Sequence, residues 1–338
     1  MPINHAIVLD NRPEAEVSTS NFKMVTAETP ALQDGQVLVK NHYLSLDPYM
    51  RGRMNAGKNY AQPQPLGEPM IGGTVGEVAE SKNAKFKVGQ TVQCMGGWQA
   101  YSLINADAPG ALKHVNAEKI SMSHYLGAVG MPGVTAWYGL NKIIQAKPGA
   151  TVTVSAASGA VGSAYGALAQ ARGCRVVGIA GGKAKCDYVV HELGFDACVD
   201  YKEHKDYISL SKALKEACPD GIDGHFENVG GMVLDAVMLR ANDFARIAVC
   251  GMIAGYNGEP LPMTNPTLIL KSRLAIEGFI VSEHMEVWPE ALAELADLVA
   301  SGKLKPRETI AQGLSSAPEA FIGLLKGQNF GKQLVKLI

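Results

Sequence analysis

Residues 151–185 read TVTVSAASGAVGSAYGALAQARGCRVVGIAGGKAK. Thr151 to Ser155 is short, apolar and β-branched, the composition of a strand buried on both faces of a parallel sheet. Gly159 and Gly162 follow at three-residue spacing, a helix is expected from about Ser163 to Arg172, and Gly173 stops it. Cys174 to Ile179 resumes as strand. The segment is one βαβ unit, and its first turn is where a dinucleotide pyrophosphate rests. Gly159 lets the backbone approach the phosphates, Gly162 lets the helix pack against the strand, and the helix N-terminus offers free N–H groups and partial positive charge.

The glycine pattern departs from G-x-G-x-x-G at its first position, which holds Ala157. An ordinary strand–helix turn of an α/β domain could carry the same residues. What favours a nucleotide is the end of the second strand. An NAD site places an Asp or Glu there for the ribose 2′-hydroxyl. Here Ala180, Gly181 and Gly182 precede Lys183 and Lys185, with no acid before Asp187. Small residues leave room for a 2′-phosphate and lysines supply its counter-charge, so the site reads as one for NADPH. A solvated helix start would also account for the two lysines.

Outward from this unit, strands and helices alternate. Helix is expected over 184–193, strand over 197–201, helix over 205–217, strand over 222–227, helix over 231–241 and strand over 245–250. A strand at 274–281 and a helix at 287–300 follow, giving six strand candidates for a doubly wound sheet. Upstream, Gly35–Leu44, Gly73–Val78 and Val88–Cys94 alternate apolar and polar residues between Gly and Pro, as an antiparallel β domain does. The expected organisation is a β domain over 1–125, completed by 305–338, and a Rossmann domain over 126–304, with the cofactor cleft between them.

Composition sets outer bounds. The 338 residues are 47% hydrophobic and 19% charged, which suits a globular chain long enough for two domains. A net charge of −1 gives no reason to expect nucleic acid or an anionic membrane as partner. Residues 148–171 carry no charge, yet Gly, Ser and Thr break them and their period switches from strand to helix, so a membrane span is rejected. The N-terminus lacks an apolar signal core, and the six cysteines form no C-x-x-C pair; a cytoplasmic protein with free thiols is expected.

Eight segments in order carry a family resemblance: LSLDPYMRGRM at 44–54, GMPGVTAWYGL at 130–140, AASGAVG at 156–162, GGKAKC at 181–186, ENVGG at 227–231, CGMIAGYN at 250–257, GFIV at 278–281 and LKGQNFGKQLVK at 325–336. Together they resemble the zinc-independent medium-chain dehydrogenase/reductases, in the leukotriene B4 dehydrogenase/prostaglandin reductase branch and nearest its bacterial curcumin reductases. The resemblance implies a GroES-like antiparallel β domain, a Rossmann domain, NADPH, a homodimer, and reduction of a carbon–carbon double bond conjugated to a carbonyl in a small enone or enal. It implies that Gly159, Ala160, Val161 and Gly162 hold the pyrophosphate, and that Lys185 with Tyr201 meets the 2′-phosphate. Asn228 would lie near the cofactor, Cys250, Gly251, Met252, Ile253 and Tyr256 along the nicotinamide ribose, and Phe279, Ile280 and Val281 at the carboxamide. Asn329 would close the site from the tail, and Glu227 stands where the family carries Asp.

Zinc is the superfamily's other option, and the residues argue against it. No cysteine precedes Cys94, the turn expected to read Gly-His-Glu reads Leu66-Gly67-Glu68-Pro69, and the structural zinc lobe's clustered cysteines are missing. Charge developing on a substrate carbonyl oxygen would then need a protein donor, for which Tyr256 is the candidate, directly or through the ribose hydroxyl. Tyr49 is the candidate substrate contact, with a packing role as the alternative. The Gly/Pro/Asn-rich stretches 55–65 and 255–266 read as mobile lids. A quinone reductase on the same cofactor site, or a non-catalytic NADPH-binding protein, would share these features.

Overall fold

The computed structural model describes residues 1–57 and 59–338. The chain divides into two compact units, Met1–Leu126 with Glu308–Ile338, and Gly127–Arg307. In the first, strands β1 (Ile3–Leu9) and β2 (Phe22–Glu28) pair antiparallel. A second sheet holds β3 (Gln36–Ser45), β4 (Thr74–Ser81), β5 (Thr91–Cys94), β6 (Tyr101–Asn105) and β7 (Leu112–His114), and the short helix α1 (Tyr49–Arg53) follows β3. β3 pairs with both β4 and β6, and its Val37, Leu38, Val39 and Leu44 are buried.

The second unit opens with α2 (Met131–Tyr138), which widens into a π-helical turn where Gly139 lies against the Phe226 ring. Strands β8 (Thr151–Ser155), β9 (Arg175–Ala180), β10 (Ala197–Asp200), β11 (Ile222–Glu227), β12 (Ala241–Val249) and β13 (Ala275–Gly278) then form a parallel sheet in the order β10-β9-β8-β11-β12-β13. Helices α3 (Ala160–Ala171), α4 (Lys183–His191), α5 (Tyr207–Ala217), α6 (Met232–Met238), α7 (Thr267–Lys271) and α8 (Trp288–Ala300) complete it. The order reverses between β8 and β11, and ligands of open α/β sheets bind outside the carboxyl ends of strands at such a switch point. All five residues of β8 are buried, as its β-branched composition requires.

The chain then returns to the first unit with β14 (Glu308–Gln312), α9 (Ala317–Leu325) and β15 (Lys332–Lys336); β15 pairs antiparallel with β3. Phe321 of α9 sits edge-on to Trp98 at 5.7 Å, and Phe22 stacks on the same indole at 5.3 Å. Lys332 is buried and donates to the Leu46 carbonyl and to Asp47, both at 2.7 Å. The tail therefore supplies an aromatic wedge and a buried cation to this unit's core.

Several boundaries differ from the sequence expectation. α3 begins at Ala160 rather than Ser163, because the Ser163 N–H already bonds the Gly159 carbonyl at 3.0 Å. α6 ends at Met238, and β12 starts at Ala241, absorbing Phe244 at φ 65°. β13 ends at Gly278, so Phe279 and Ile280 follow the strand and Val281 starts a 3₁₀ turn. The far end of the 255–266 stretch is tied to the second unit: Thr264 bonds Asp235 through N–H (3.1 Å) and hydroxyl (2.5 Å), and Asn265 donates to the Tyr207 hydroxyl (3.1 Å). The 55–65 stretch includes Lys58, which lies outside the described residues.

Candidate nucleotide-binding site

The turn after β8 explains its own departure from the glycine fingerprint. Ala157 is fully buried, and a Cβ placed on Gly178 of β9 would come within 2.8 Å of the Ala157 methyl. The missing side chain has moved across the sheet, from the turn to the neighbouring strand. The left-handed residue of the turn is Ala156, at φ 51°. Non-glycine residues rarely adopt this conformation, and it collects at ligand-binding turns. At Gly162 a Cβ would lie 2.5 Å from the Ala156 carbonyl and 2.7 Å from Ala157 Cα, so only glycine lets α3 approach this closely. Gly159 is the N-cap of α3, with Ala160 and Val161 in its first turn; all three are partly exposed. Their N–H groups lie at the positive end of a twelve-residue helix, where an anion is favoured.

At the end of β9 the two sequence-selected lysines separate. Lys183 is 82% exposed in its side chain and pairs with Asp187 one helical turn on, at 2.6 Å. Lys185 is half-buried; burial, then the charge of Lys202, hold its ammonium pKa below the ordinary value. Gly181 lies under two side chains: a Cβ there would meet Tyr201 at 2.8 Å and Lys202 Cε at 3.0 Å, so its bare backbone lets both lie over it. Gly181, Lys185, Tyr201 and Lys202 thus converge, and Lys202 is the member the sequence reading missed. An acid reaches this corner from the next strand, although none precedes Asp187 along the chain after β9. Asp200, at the end of β10, accepts from the N–H groups of Gly182 (2.8 Å) and Lys202 (3.0 Å). Its carboxylate secures the turn.

The strand ends beside the switch point are tied by one buried carboxylate. Glu227 accepts from the Ser155 hydroxyl (2.5 Å) and from the Val229 and Gly230 N–H groups (2.6 and 3.0 Å), and lies 3.1 Å from His225 Nε2. Burial pushes its pKa up, but His225 and these hydrogen bonds outweigh it and hold the carboxyl below its usual range. The Asn228 N–H bonds Ser155 Oγ (2.7 Å), and its side-chain amide donates to the Ser155 carbonyl (2.8 Å). Asn228 is thereby fixed between β8 and β11. Its carbonyl accepts from Ile253, and Glu227's carbonyl accepts from Cys250 and Gly251, so the CGMIAGYN segment is laced to ENVGG.

Tyr256 ends the 3₁₀ turn of that segment, half-buried, and a Cβ on Gly251 would lie 2.9 Å from its hydroxyl. Cys250 and Met252 are partly exposed, and burial pushes the Cys250 thiol up to about 12, so it remains protonated. The Phe279 ring stacks on Tyr138 at 5.3 Å and meets Phe226 edge-on at 6.1 Å. That commits its side chain to packing, while the backbone here is partly engaged: the Phe279 N–H bonds the Val249 carbonyl, and the Ile280 and Val281 carbonyls accept from Glu283 and His284.

Two selected residues belong to the first unit. Tyr49 begins α1 half-buried against the Trp98 cluster; burial, then the Asp47 charge, raise its phenol pKa. Asn329 donates to the Gly331 carbonyl at 2.8 Å, shaping the turn before β15. Arg51, beside Tyr49, donates to Asn55 and to the Ala15 carbonyl, both at 2.7 Å.

Comparison with known proteins gives this geometry a family. Residues 5–112 match the profile described as the N-terminal domain of oxidoreductase, and residues 160–297 match that described as zinc-binding dehydrogenase. NADPH-dependent curcumin reductase of Escherichia coli is 41% identical over 99% of this chain and 97% of its own. The NADP(+)-dependent 2-alkenal reductase of Nicotiana tabacum is 44% identical over 98% and 95%. The chain is a medium-chain dehydrogenase/reductase. It falls in the branch of the curcumin, 2-alkenal and prostaglandin reductases. The crystal structure of CurA from Vibrio vulnificus in complex with NADPH superposes with a TM-score of 0.91, at 42% identity, covering 99% of each chain.

Proposed function

We propose that this protein reduces the carbon–carbon double bond of α,β-unsaturated ketones and aldehydes, with NADPH as reductant. The observation that carries the reading is full-length similarity above 40% to reductases from a bacterium and a plant that are named for enone or enal substrates and NADP(H). The nucleotide corner fits the cofactor. Glycines stand where a Cβ would fill the cradle at 162 and 181, and Lys185 and Lys202 supply charge for a 2′-phosphate. We assign the pyrophosphate to 159–162, the 2′-phosphate to Lys185, Lys202 and Tyr201, and the nicotinamide side to Asn228, 250–253, Tyr256 and 279–281. Asn329 is assigned to the cofactor and Tyr49 to the substrate.

Bound NADPH supplies the hydride that adds to the substrate's β-carbon. As it adds, negative charge grows on the carbonyl oxygen, and the Tyr256 hydroxyl is assigned to donate to it or to orient the ribose hydroxyl that does. Zinc has no part in this reading. Cys94 is buried, its sulfur 3.3 Å from the Thr74 hydroxyl. Among the described residues no group of three or more His, Cys, Asp or Glu could hold a metal ion.

The test is turnover of enones, enals and quinones with NADPH deuterated at the transferring carbon. Label at the β-carbon of a saturated ketone or aldehyde is expected. Label at the carbonyl carbon, or turnover of quinones alone, would overturn the reading. The homodimer reading is supported by β13, an edge strand of the parallel sheet, with Leu270 81% exposed beside it; sedimentation as a monomer would refute it. A cytoplasmic location is supported by six free cysteines, and cell fractionation tests it.

A further inference from the structure

Cys186 in the first turn of α4 and Cys198 on β10 are twelve positions apart, yet their sulfurs lie 3.2 Å from one another, with Cys198 donating its S–H to Cys186. Both are partly exposed. Cys198 stands opposite Gly178 in the β9–β10 ladder, and a Cβ on Gly178 would lie 3.2 Å from its sulfur. The bare strand at Gly178 therefore makes room for the thiol pair as well as for Ala157. Nothing in the proposed reduction uses either sulfur. Cys186 is nevertheless the next residue after Lys185, and Cys198 lies two residues before Asp200, whose carboxylate holds the Gly182 N–H.

The contact divides the two thiols into different roles. The hydrogen bond from Cys198 holds the Cys186 thiol below its ordinary pKa, outweighing burial and the nearby Asp200, Asp187 and Glu203. The same contact, with burial, pushes Cys198 well up. A thiol of lowered pKa in contact with one of raised pKa is the arrangement of an oxidisable cysteine and its resolving cysteine.

We propose that Cys186 and Cys198 form a reversible, peroxide-driven disulfide that weakens NADPH binding. The effect on NADPH rests on the assignment of the 2′-phosphate to Lys185 and Lys202. In the first step the Cys186 thiolate attacks one oxygen of hydrogen peroxide. The O–O bond breaks, hydroxide leaves and takes up the Cys186 proton as water, and Cys186 becomes a sulfenic acid. The Cys198 sulfur then attacks the Cys186 sulfur. The S–O bond breaks, and the departing hydroxide leaves as a second water with the Cys198 proton. Two thiols have lost two electrons and two protons, and one peroxide has become two waters. Closing from 3.2 Å to a bond of about 2.05 Å needs a shift of about an ångström. β10 is held in register by four residue pairs with β9, so the first turn of α4 moves, and it carries Lys185. By linkage, bound NADPH opposes the disulfide as strongly as the disulfide opposes NADPH.

The experiment treats the full-length reduced protein with graded hydrogen peroxide, blocks remaining thiols and maps peptides. A 186–198 cross-linked peptide, reversed by dithiothreitol, is expected. C186S and C198S should each abolish it, with C186A and C198A replacing any serine variant that fails to fold. The NADPH dissociation constant should rise at least about fivefold on oxidation, the low end of ordinary coupling between sites, with NADH unchanged. Oxidation of other cysteines without this peptide, or cross-linked protein that binds NADPH like the reduced form, would overturn the proposal. K185A, measured reduced, separates the two ideas: if it keeps full NADPH preference, the phosphate assignment fails whatever the peptide map shows.

Discussion

Replacing Lys185 with alanine removes a half-buried ammonium at the corner assigned to the 2′-phosphate. A hydrogen bond to a charged group contributes about 1.5–3 kcal/mol, and each 1.4 kcal/mol is tenfold in affinity, so the NADPH dissociation constant should rise about 10- to 150-fold. NADH has no phosphate to lose and should change little. The neighbours sharpen the expectation. Lys183 is exposed and paired with Asp187, so K183A should stay within about twofold. Lys202 is exposed, so K202A should cost less than K185A, and its effect should shrink with added salt. Titrating NADPH and NADH against cofactor fluorescence measures all four proteins. A pH series adds a second reading. Because burial and Lys202 lower the Lys185 pKa, the NADPH advantage should fade, as pH rises, before reaching the ordinary lysine value of 10.5. K185A weakening NADH as much as NADPH, or K183A proving the larger loss, would refute the assignment.

Tyr256→Phe should lower the catalytic rate on the order of tenfold with a smaller change in the Michaelis constant, because the contact forms as charge develops and water can still deliver a proton. A change confined to the Michaelis constant, seen by steady-state kinetics, would deny the tyrosine that role. Purified enzyme should contain no stoichiometric zinc by elemental analysis and should keep its activity in EDTA; activity restored by zinc is the contrary result. Glu227→Gln should destabilise the fold by about 1.5–3 kcal/mol in urea titration, since it removes the charge from a buried carboxylate that accepts several hydrogen bonds. The Glu227 pKa is depressed, so its contribution is present above the unfolded value of 4.5 and lost as pH falls through the folded value; the variant should show a flatter acid limb in melting temperature.

How much of this was legible beforehand varied with distance along the chain. β11 is read to the residue at 222–227, and α5 and α8 to within two, because each is a strongly patterned run. The start of α3 was missed because Gly162 looks like turn and is in fact the residue that lets the helix approach the strand. The corner after β9 was half-legible. Its glycines and Lys185 lie in one stretch, whereas Asp200 and Lys202 arrive from the next strand, and only the parallel pairing of β9 with β10 brings them together. The hold of Glu227 on Ser155 likewise joins strands seventy-two positions apart. A polar residue at each strand's carboxyl end was its only sequence signal. The Cys186–Cys198 contact gave none, since a spacing of twelve marks no motif.

The way the tail completes the first unit has a consequence for synthesis. The second unit is one unbroken stretch of chain, whereas the first is interrupted at residue 126 and resumes at 308. On a ribosome adding about 5–20 residues per second, the opening strands wait on the order of ten to forty seconds for their last partners. Throughout that interval Trp98 lacks Phe321, and Asp47 lacks the ammonium of Lys332. The nucleotide-binding half can finish first, so pulse proteolysis of stalled nascent chains should yield a resistant fragment over 127–307 before the N-terminal segment gains any protection. A stop codon just before α9 would leave a chain that holds its parallel sheet and fails at the opposite end of the sequence.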